Sequence, residues 1–329
     1  MGESKRISDL TFKDLSEIFI ERYCKPHISP ITTHGYKKTL KKVLSIIGNK
    51  KLKDITPFVL DSMYQKLRVA KDGHEIGYHS NYNYYKLINV MFNQAIRWEI
   101  MDKNPNSKAN KPKKEHKEKN FYDVNQVKKL LDVLENESIK YKLLVVLALD
   151  SGARRSELCA LRWSDIDLET RMMSITKSLK VFAGVVDEKT TKTESSIRTI
   201  KLSESTINLI KEYKEWQEAY KKVNGKKWKS KDNRIFTSVD GGYMHPSTCD
   251  HTLRKIVRKY NLDPICFHEL RHTYASLLIN SGVDPKTVSK GLGHSDTSIT
   301  MEIYTHAFEE SKNACADRFD EMMKKLENA

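Results

Sequence analysis

Apolar residues recur at helical spacing from the start of the chain. Phe12, Leu15, Ile18 and Phe19 share one face, and Thr11 with Asp14 has the form of a capping box. The pattern predicts a second helix over 32–47 that stops at Gly48. A third begins at Thr56-Pro57, with proline in the first helical position, and a fourth covers 80–98. Together they make an all-helical unit of roughly 90 residues, within the usual domain range.

The pattern lapses between 104 and 120. Asn104-Pro105-Asn106-Ser107 leads into a lysine-rich run over 111–119 with no apolar side chain to bury beyond Ala109. This predicts a solvated basic linker whose Lys113, Lys114 and Lys117 are candidates for following a phosphate backbone. Periodicity returns near Phe121, with helices predicted over 123–135, 139–150 and 155–162. Alternating, β-branched segments at 173–182, 185–193 and 197–202 then read as a three-stranded meander. Helices resume at 203–220, 247–260, 268–281, 284–291 and 298–305, and an amphipathic tail helix is expected over 308–327. The expected fold is mainly α with a small antiparallel β-sheet. Its two domains are a helical unit (1–103) and an α+β unit (121–329), joined by the linker (104–120).

Charge narrows the class of partner. The 329 residues carry 58 basic and 43 acidic side chains, a formal net charge of +15, which favours a polyanion and nucleic acid first. No run of 18 apolar residues exists, so no membrane-spanning helix is expected. The N-terminus lacks a signal-peptide core. Five scattered cysteines without a CxxC pair point to reduced thiols in a cytoplasm, with no disulfide frame or zinc site. No GxxxxGK[ST] loop is present.

Four segments carry candidate chemistry: Ser151–Leu158, Thr191–Thr199, His268–Thr273, and Gly291–His294 followed ten residues later by Tyr304. A phenol attacking a phosphodiester builds negative charge on the non-bridging oxygens. Always-charged, planar guanidiniums such as Arg154 and Arg271 suit that task. His268 and His294 can donate hydrogen bonds or move protons. An ammonium at Lys192 can protonate the leaving 5′ oxygen. Tyr304, with a solution pKa of about 10, needs a cationic surrounding to act as nucleophile.

In order and spacing the four segments closely resemble the signatures of the tyrosine recombinase (phage integrase) family, most like integrases of phages and conjugative transposons. The resemblance is close over roughly 121–310 and looser over the helical unit. It implies a pocket of Arg154, Lys192, His268, Arg271 and His294, with Tyr304 as nucleophile and Glu157 as the carboxylate supporting Arg154. It also implies a helical core-binding domain (SAM-like) that joins the catalytic domain in a clamp on duplex DNA. The implied activity is site-specific DNA recombination, the integration or excision of a mobile element through a 3′-phosphotyrosine intermediate, with no metal and no nucleotide cofactor. The implied partners are double-stranded DNA at core or attachment sites, three further copies of the chain in a tetramer on DNA, and accessory DNA-bending or excision factors. The enzyme would be cytoplasmic, on the nucleoid when bound. Many such integrases carry an extra small DNA-binding domain ahead of the helical unit. Barely ten residues precede the first helix here, so that domain is either absent or removed.

Rival readings make different demands. His268-Glu269-Leu270-Arg271-His272 also satisfies HExxH, which on a helix offers two imidazoles to zinc. The extended pattern fails because Ala275 and Leu278 stand where a further glycine and histidine belong, and a zinc protease leaves Arg154, Lys192 and Tyr304 without a role. A type IB topoisomerase would share much the same pocket but relax supercoils without a defined site. A non-enzymatic DNA-binding protein would have no use for the complete pocket.

Overall fold

The computed structural model describes residues 9–69, 78–112, 120–182, 185–190, 197–229, 232–293 and 323–324. Lys113, Lys114, Lys117, Lys192, His294, Tyr304 and the predicted helix over 298–305 lie outside the described residues, as does the predicted tail helix apart from Met323 and Lys324. The chain divides into two compact units, Met1–Lys117 and Glu118–Ala329.

The first unit is helical because local signals and burial agree. Helix α1 (Phe12–Phe19) opens on the capping box: Thr11 Oγ1 accepts the Asp14 N–H, and Asp14 accepts the Thr11 N–H at 2.8 Å. It runs on through a π turn (Ile20–Cys24) into the short α2 (Lys25–His27). Helices α3 (Pro30–Ile47) and α4 (Pro57–Leu67) each begin at a proline capped by a preceding hydroxyl, from Ser29 and Thr56. Helix α5 (Tyr78–Arg97) completes the unit. The core gathers Phe12, Leu15, Phe19, Val43, Leu60, Ile88 and Phe92. Phe12 meets Phe92 edge to face, with centroids 5.9 Å apart.

The start of the expected linker behaves differently from the prediction. Residues Pro105–Lys108 form a 3₁₀ turn, and Asn106 is fully buried. Its side-chain oxygen accepts the Tyr64 hydroxyl at 2.6 Å, and its amide donates to the Tyr85 carbonyl at 3.2 Å. Asn110 donates to Asp61 through both its backbone and side-chain amide, at 2.7 Å each. Polar residues can be interior when every donor and acceptor finds a partner, so the chain as far as Asn110 belongs to the helical unit.

The second unit opens with α6 (Val124–Leu134), capped by Asp123 and Gln126, and α7 (Ile139–Ser151). Helix α7 is apolar almost all round and is the central core helix: Leu143, Leu144, Val145, Leu147 and Ala148 are buried. The predicted helix over 155–162 is a single turn, α8 (Arg155–Leu158). The strands are β1 (Ile166–Asp167), β2 (Met172–Ile175), β3 (Lys177–Phe182), β4 (Val185–Thr190) and β5 (Arg198–Lys201). They form two antiparallel sheets, β1-β2-β5 and β3-β4, in place of one meander. The predicted first strand is broken at Thr176: its first half pairs with β5, through Met173↔Ile200 and Ile175↔Arg198, while its second half makes a hairpin with β4. Helices α9 (Glu204–Asn224), α10 (Ser247–Lys259), α11 (Glu269–Asn280) and α12 (Pro285–Leu292) follow. The aromatic rings of Trp163, Tyr213, Trp216 and Tyr220 stack in sequence along α9. Trp228, in the basic segment after α9, packs on the turn at Gly241, so its indole has a structural task.

Candidate active site

Two glycine-capped helix ends build the site. Helix α7 ends at Gly152 and α12 at Gly293, both left-handed, with φ of 58° and 66°. Each end turns carbonyls, the negative pole of its helix, toward an arginine. Arg271 Nη1 donates to the Gly152 carbonyl and Nη2 to the Leu292 carbonyl, both at 2.7 Å. Arg154 Nη2 donates to the Gly293 carbonyl at 3.2 Å. The predicted Arg154 and Arg271, 117 residues apart, are thus held by neighbouring carbonyls of one turn. Gly152 is required twice over. Its backbone is left-handed, and a Cβ there would meet Leu292 Cδ2 at 2.5 Å and Tyr274 Cδ1 at 2.6 Å.

Glu157 is almost wholly buried and lies at the third position of α8. One carboxylate oxygen accepts Arg154 Nη1 at 2.8 Å and the other accepts the Arg154 backbone N–H at 2.9 Å. Burial alone would raise the Glu157 pKa. The guanidinium of Arg198, followed by the contacts from Arg154, brings it below the ordinary carboxylate value. Arg198 was not among the predicted site residues. Its side chain lies on the inward face of β5 and donates Nη2 to Glu157 at 2.7 Å and Nη1 at 3.4 Å.

Arg271 is 1% exposed. Burial, followed by the charges of Arg154 and Arg198, pushes its pKa down to about 9, with Glu157 acting in the opposite direction. Such crowding of cations disfavours the empty pocket, and an incoming anion relieves it. Arg154 is about a third exposed and so remains accessible to a substrate.

His268 lies immediately before α11 and is open to solvent at its outer edge. Partial burial of the ring, followed by the cations Arg271, Arg154 and Arg155, lowers its pKa, so the imidazole is neutral near pH 7. His268 and His272 meet edge to face at 5.0 Å, so HExxH does put two imidazoles on one face. One oxygen of the Glu269 carboxylate accepts the Cys266 N–H at 2.6 Å. Among the described residues no group of three His, Cys, Asp or Glu is arranged to hold a metal ion. The structure therefore brings together Arg154, Glu157, His268 and Arg271 of the predicted set. Lys192 follows the end of β4 by two residues, and His294 follows Gly293 directly in the chain.

A second ionic cluster steadies the β3–β4 hairpin. Glu188 of β4 accepts both arms of Arg162, at 2.6 and 3.1 Å, and also Arg234. Arg155, beside Arg154, is ion-paired with Asp250 of α10.

Comparison with known proteins gives the class. Residues 120–311 match the model described as the phage integrase family, and residues 11–68 match the phage integrase N-terminal SAM-like domain. The chain belongs to the phage integrase family and is a tyrosine recombinase. Among its relatives, a tyrosine recombinase XerC-like protein of Caldanaerobacter subterraneus is 27% identical over 98% of this chain and 85% of its own length. The ICEBs1 integrase of Bacillus subtilis is 28% identical over 72% of this chain and 64% of its own. In fold, the chain resembles the Tn1549 transposon integrase solved with a circular intermediate DNA. The TM-score is 0.79 at 22% identity, covering 94% of this chain and 99% of that one.

Proposed function

We propose that this recombinase cuts and rejoins duplex DNA at defined sites to integrate or excise a mobile element, with Tyr304 as nucleophile. The observation that carries the reading is the pairing of Arg154 and Arg271 on one glycine-capped turn, in a pocket with more positive than negative charge and a neutral imidazole at its edge. Such a pocket suits a phosphodiester whose non-bridging oxygens gain charge during attack. Tyr304 Oη forms a bond to phosphorus, and the bond from phosphorus to the 5′ oxygen of the next nucleoside breaks. His268, neutral near pH 7, accepts the phenol proton, and Lys192 donates a proton to the departing 5′ oxygen. His294 donates a hydrogen bond to the phosphate, and Glu157 holds Arg154. The 3′-phosphotyrosine keeps the energy of the phosphodiester, so attack by a second 5′ hydroxyl restores the DNA without a nucleotide cofactor.

The helical unit acts as the core-binding domain and the remainder from 121 as the catalytic domain. Lys113, Lys114 and Lys117 contribute positive charge for DNA phosphates. Exchange between two duplexes cuts four strands, and one tyrosine per copy requires four copies. The tail over 308–327, with Phe319, Met322, Met323 and Leu326 at helical spacing, docks on a neighbouring copy in that tetramer. Accessory bending or excision factors set the direction of exchange, and the enzyme works in the cytoplasm on the nucleoid. Among the described residues no helix is long and apolar enough to cross a membrane.

The test is to incubate the protein with nicked duplexes randomised across the cleavage region, in EDTA, and to look for a covalent DNA adduct on a denaturing gel. The expected result is an EDTA-resistant adduct whose trapped DNA converges on one sequence. Adducts spread evenly over all sequences would indicate a topoisomerase instead.

A further inference from the structure

We propose that Arg198 is a positioning residue that absorbs the charge of Glu157, leaving the charge of Arg154 for the substrate phosphate. The proposal rests on the reading of Arg154 as the cation that faces the scissile phosphate. On β5 the exposure alternates: Arg198 and Ile200 face inward, Thr199 and Lys201 outward. An arginine at a core position of a strand is costly unless its charge is matched. Here the match is a carboxylate that is itself 2% exposed.

The geometry shares that carboxylate between two arginines. One oxygen receives Nη1 from Arg154 and from Arg198, at 2.8 and 3.4 Å. The other receives the Arg154 backbone N–H and Arg198 Nη2, at 2.9 and 2.7 Å. Four donors match the roughly four lone-pair sites that a carboxylate offers. Arg154 and Glu157 alone would be a neutral pair, presenting a phosphate with little more than a dipole. With Arg198 the trio carries two positive charges against one negative, and the net charge sits beside the partly exposed Arg154. Losing Arg198 would therefore weaken catalysis without removing any group that touches DNA. Arg154 would also be drawn more tightly onto the uncompensated carboxylate.

The experiment compares two scissile linkages in the nicked duplex: an ordinary phosphodiester and a methylphosphonate, in which a methyl group replaces one non-bridging oxygen and its charge. Single-turnover cleavage is measured for the wild type, Arg198→Met, Arg154→Ala and the double variant Glu157→Gln/Arg198→Met. On the phosphodiester, Arg198→Met should slow cleavage by about 10- to 100-fold, less than the roughly 100- to 1000-fold typical of deleting a direct donor. On the neutral linkage the deficits of Arg198→Met and Arg154→Ala should both shrink. The double variant, having lost the buried carboxylate charge, should outpace Arg198→Met on the phosphodiester.

A deficit for Arg198→Met that is equal on both linkages, with Arg154→Ala relieved by the methylphosphonate, would overturn the proposal and assign Arg198 to folding alone. A deficit for Arg154→Ala that is also unchanged would instead sink the reading of Arg154. Should Arg198→Met melt too low to assay, Arg198→Lys keeps the charge and loses the fork. It should then retain more activity on the phosphodiester than Arg198→Gln, and equal losses would refute the charge argument.

Discussion

Gly152→Ala perturbs one of the two helix ends on which the site is built. An L-residue held at φ of 58° costs about 1 to 2 kcal/mol relative to glycine. The new methyl would also stand 2.5 Å from Leu292 and 2.6 Å from Tyr274, an overpacking that typically costs about 1 to 3 kcal/mol. Alanine stiffens the unfolded chain and returns less than about 1 kcal/mol, and then only where the native backbone suits it, which is not so here. The catalytic unit should lose about 2 to 5 kcal/mol. At roughly 2 to 4 °C per kcal/mol for a unit of this size, its melting temperature should fall by about 4 to 20 °C. Relief of the clash must push α12 or Tyr274 away and so disturb the Gly152 and Leu292 carbonyls that hold Arg271. Single-turnover cleavage, assayed at a temperature where both proteins are folded, should therefore drop by at least about tenfold, as expected when a transition-state donor is misplaced. Thermal melts followed by circular dichroism, with cleavage in parallel, measure both effects. An unchanged melting temperature would refute the steric argument. A lower melting temperature with undiminished cleavage would refute the claim that this turn sets Arg271.

Two further predictions concern charge. The folded-state pKa of His268 is depressed, so acid should hurt the enzyme: as pH falls below about 6.5, the unfolded chain takes up this proton before the native pocket does, and both stability and cleavage decline. His268→Gln should flatten the acid limb of the single-turnover rate profile while lowering its plateau, and an identical acid limb in the variant would assign that limb to another group. Glu188→Gln removes the carboxylate shared by Arg162 and Arg234. With Glu188 partly open to solvent, the loss should be about 1 to 3 kcal/mol, below the roughly 3 to 5 typical of fully buried pairs, and read as a lower denaturation midpoint; no shift would show that the hairpin is held by packing alone.

Helices marked by caps and long apolar periodicity were legible from the chain. Thr11 with Asp14 and Thr56-Pro57 are local signals that act within four residues, whereas the Ser29-Pro30 start of α3 was read two residues late. Strand pairing was less so. Period-two alternation tells which residues share a face but not which strand lies alongside, so β5 was assigned to β4 when it pairs with β2. Arg154, Glu157, His268 and Arg271 were legible because the motif spacing is specific, and the fold brings them together. Arg198 was not singled out, because an arginine in a polar stretch reads as solvated until its buried partner is seen 41 residues away. Asn106 was missed for the same reason: interior polar groups depend on partners distant in sequence, which an apolar pattern cannot reveal.

The central claim is that Tyr304 becomes joined to a 3′ phosphate. The most direct measurement is mass spectrometry of peptides from the covalent adduct trapped on a nicked duplex, with Tyr304→Phe run beside the wild type. A nucleotide attached through a 3′ phosphate to the peptide containing Tyr304, a free 5′ hydroxyl on the released strand, and no adduct from Tyr304→Phe are the predicted results. An adduct on another tyrosine, or a linkage to a 5′ phosphate, would contradict the account.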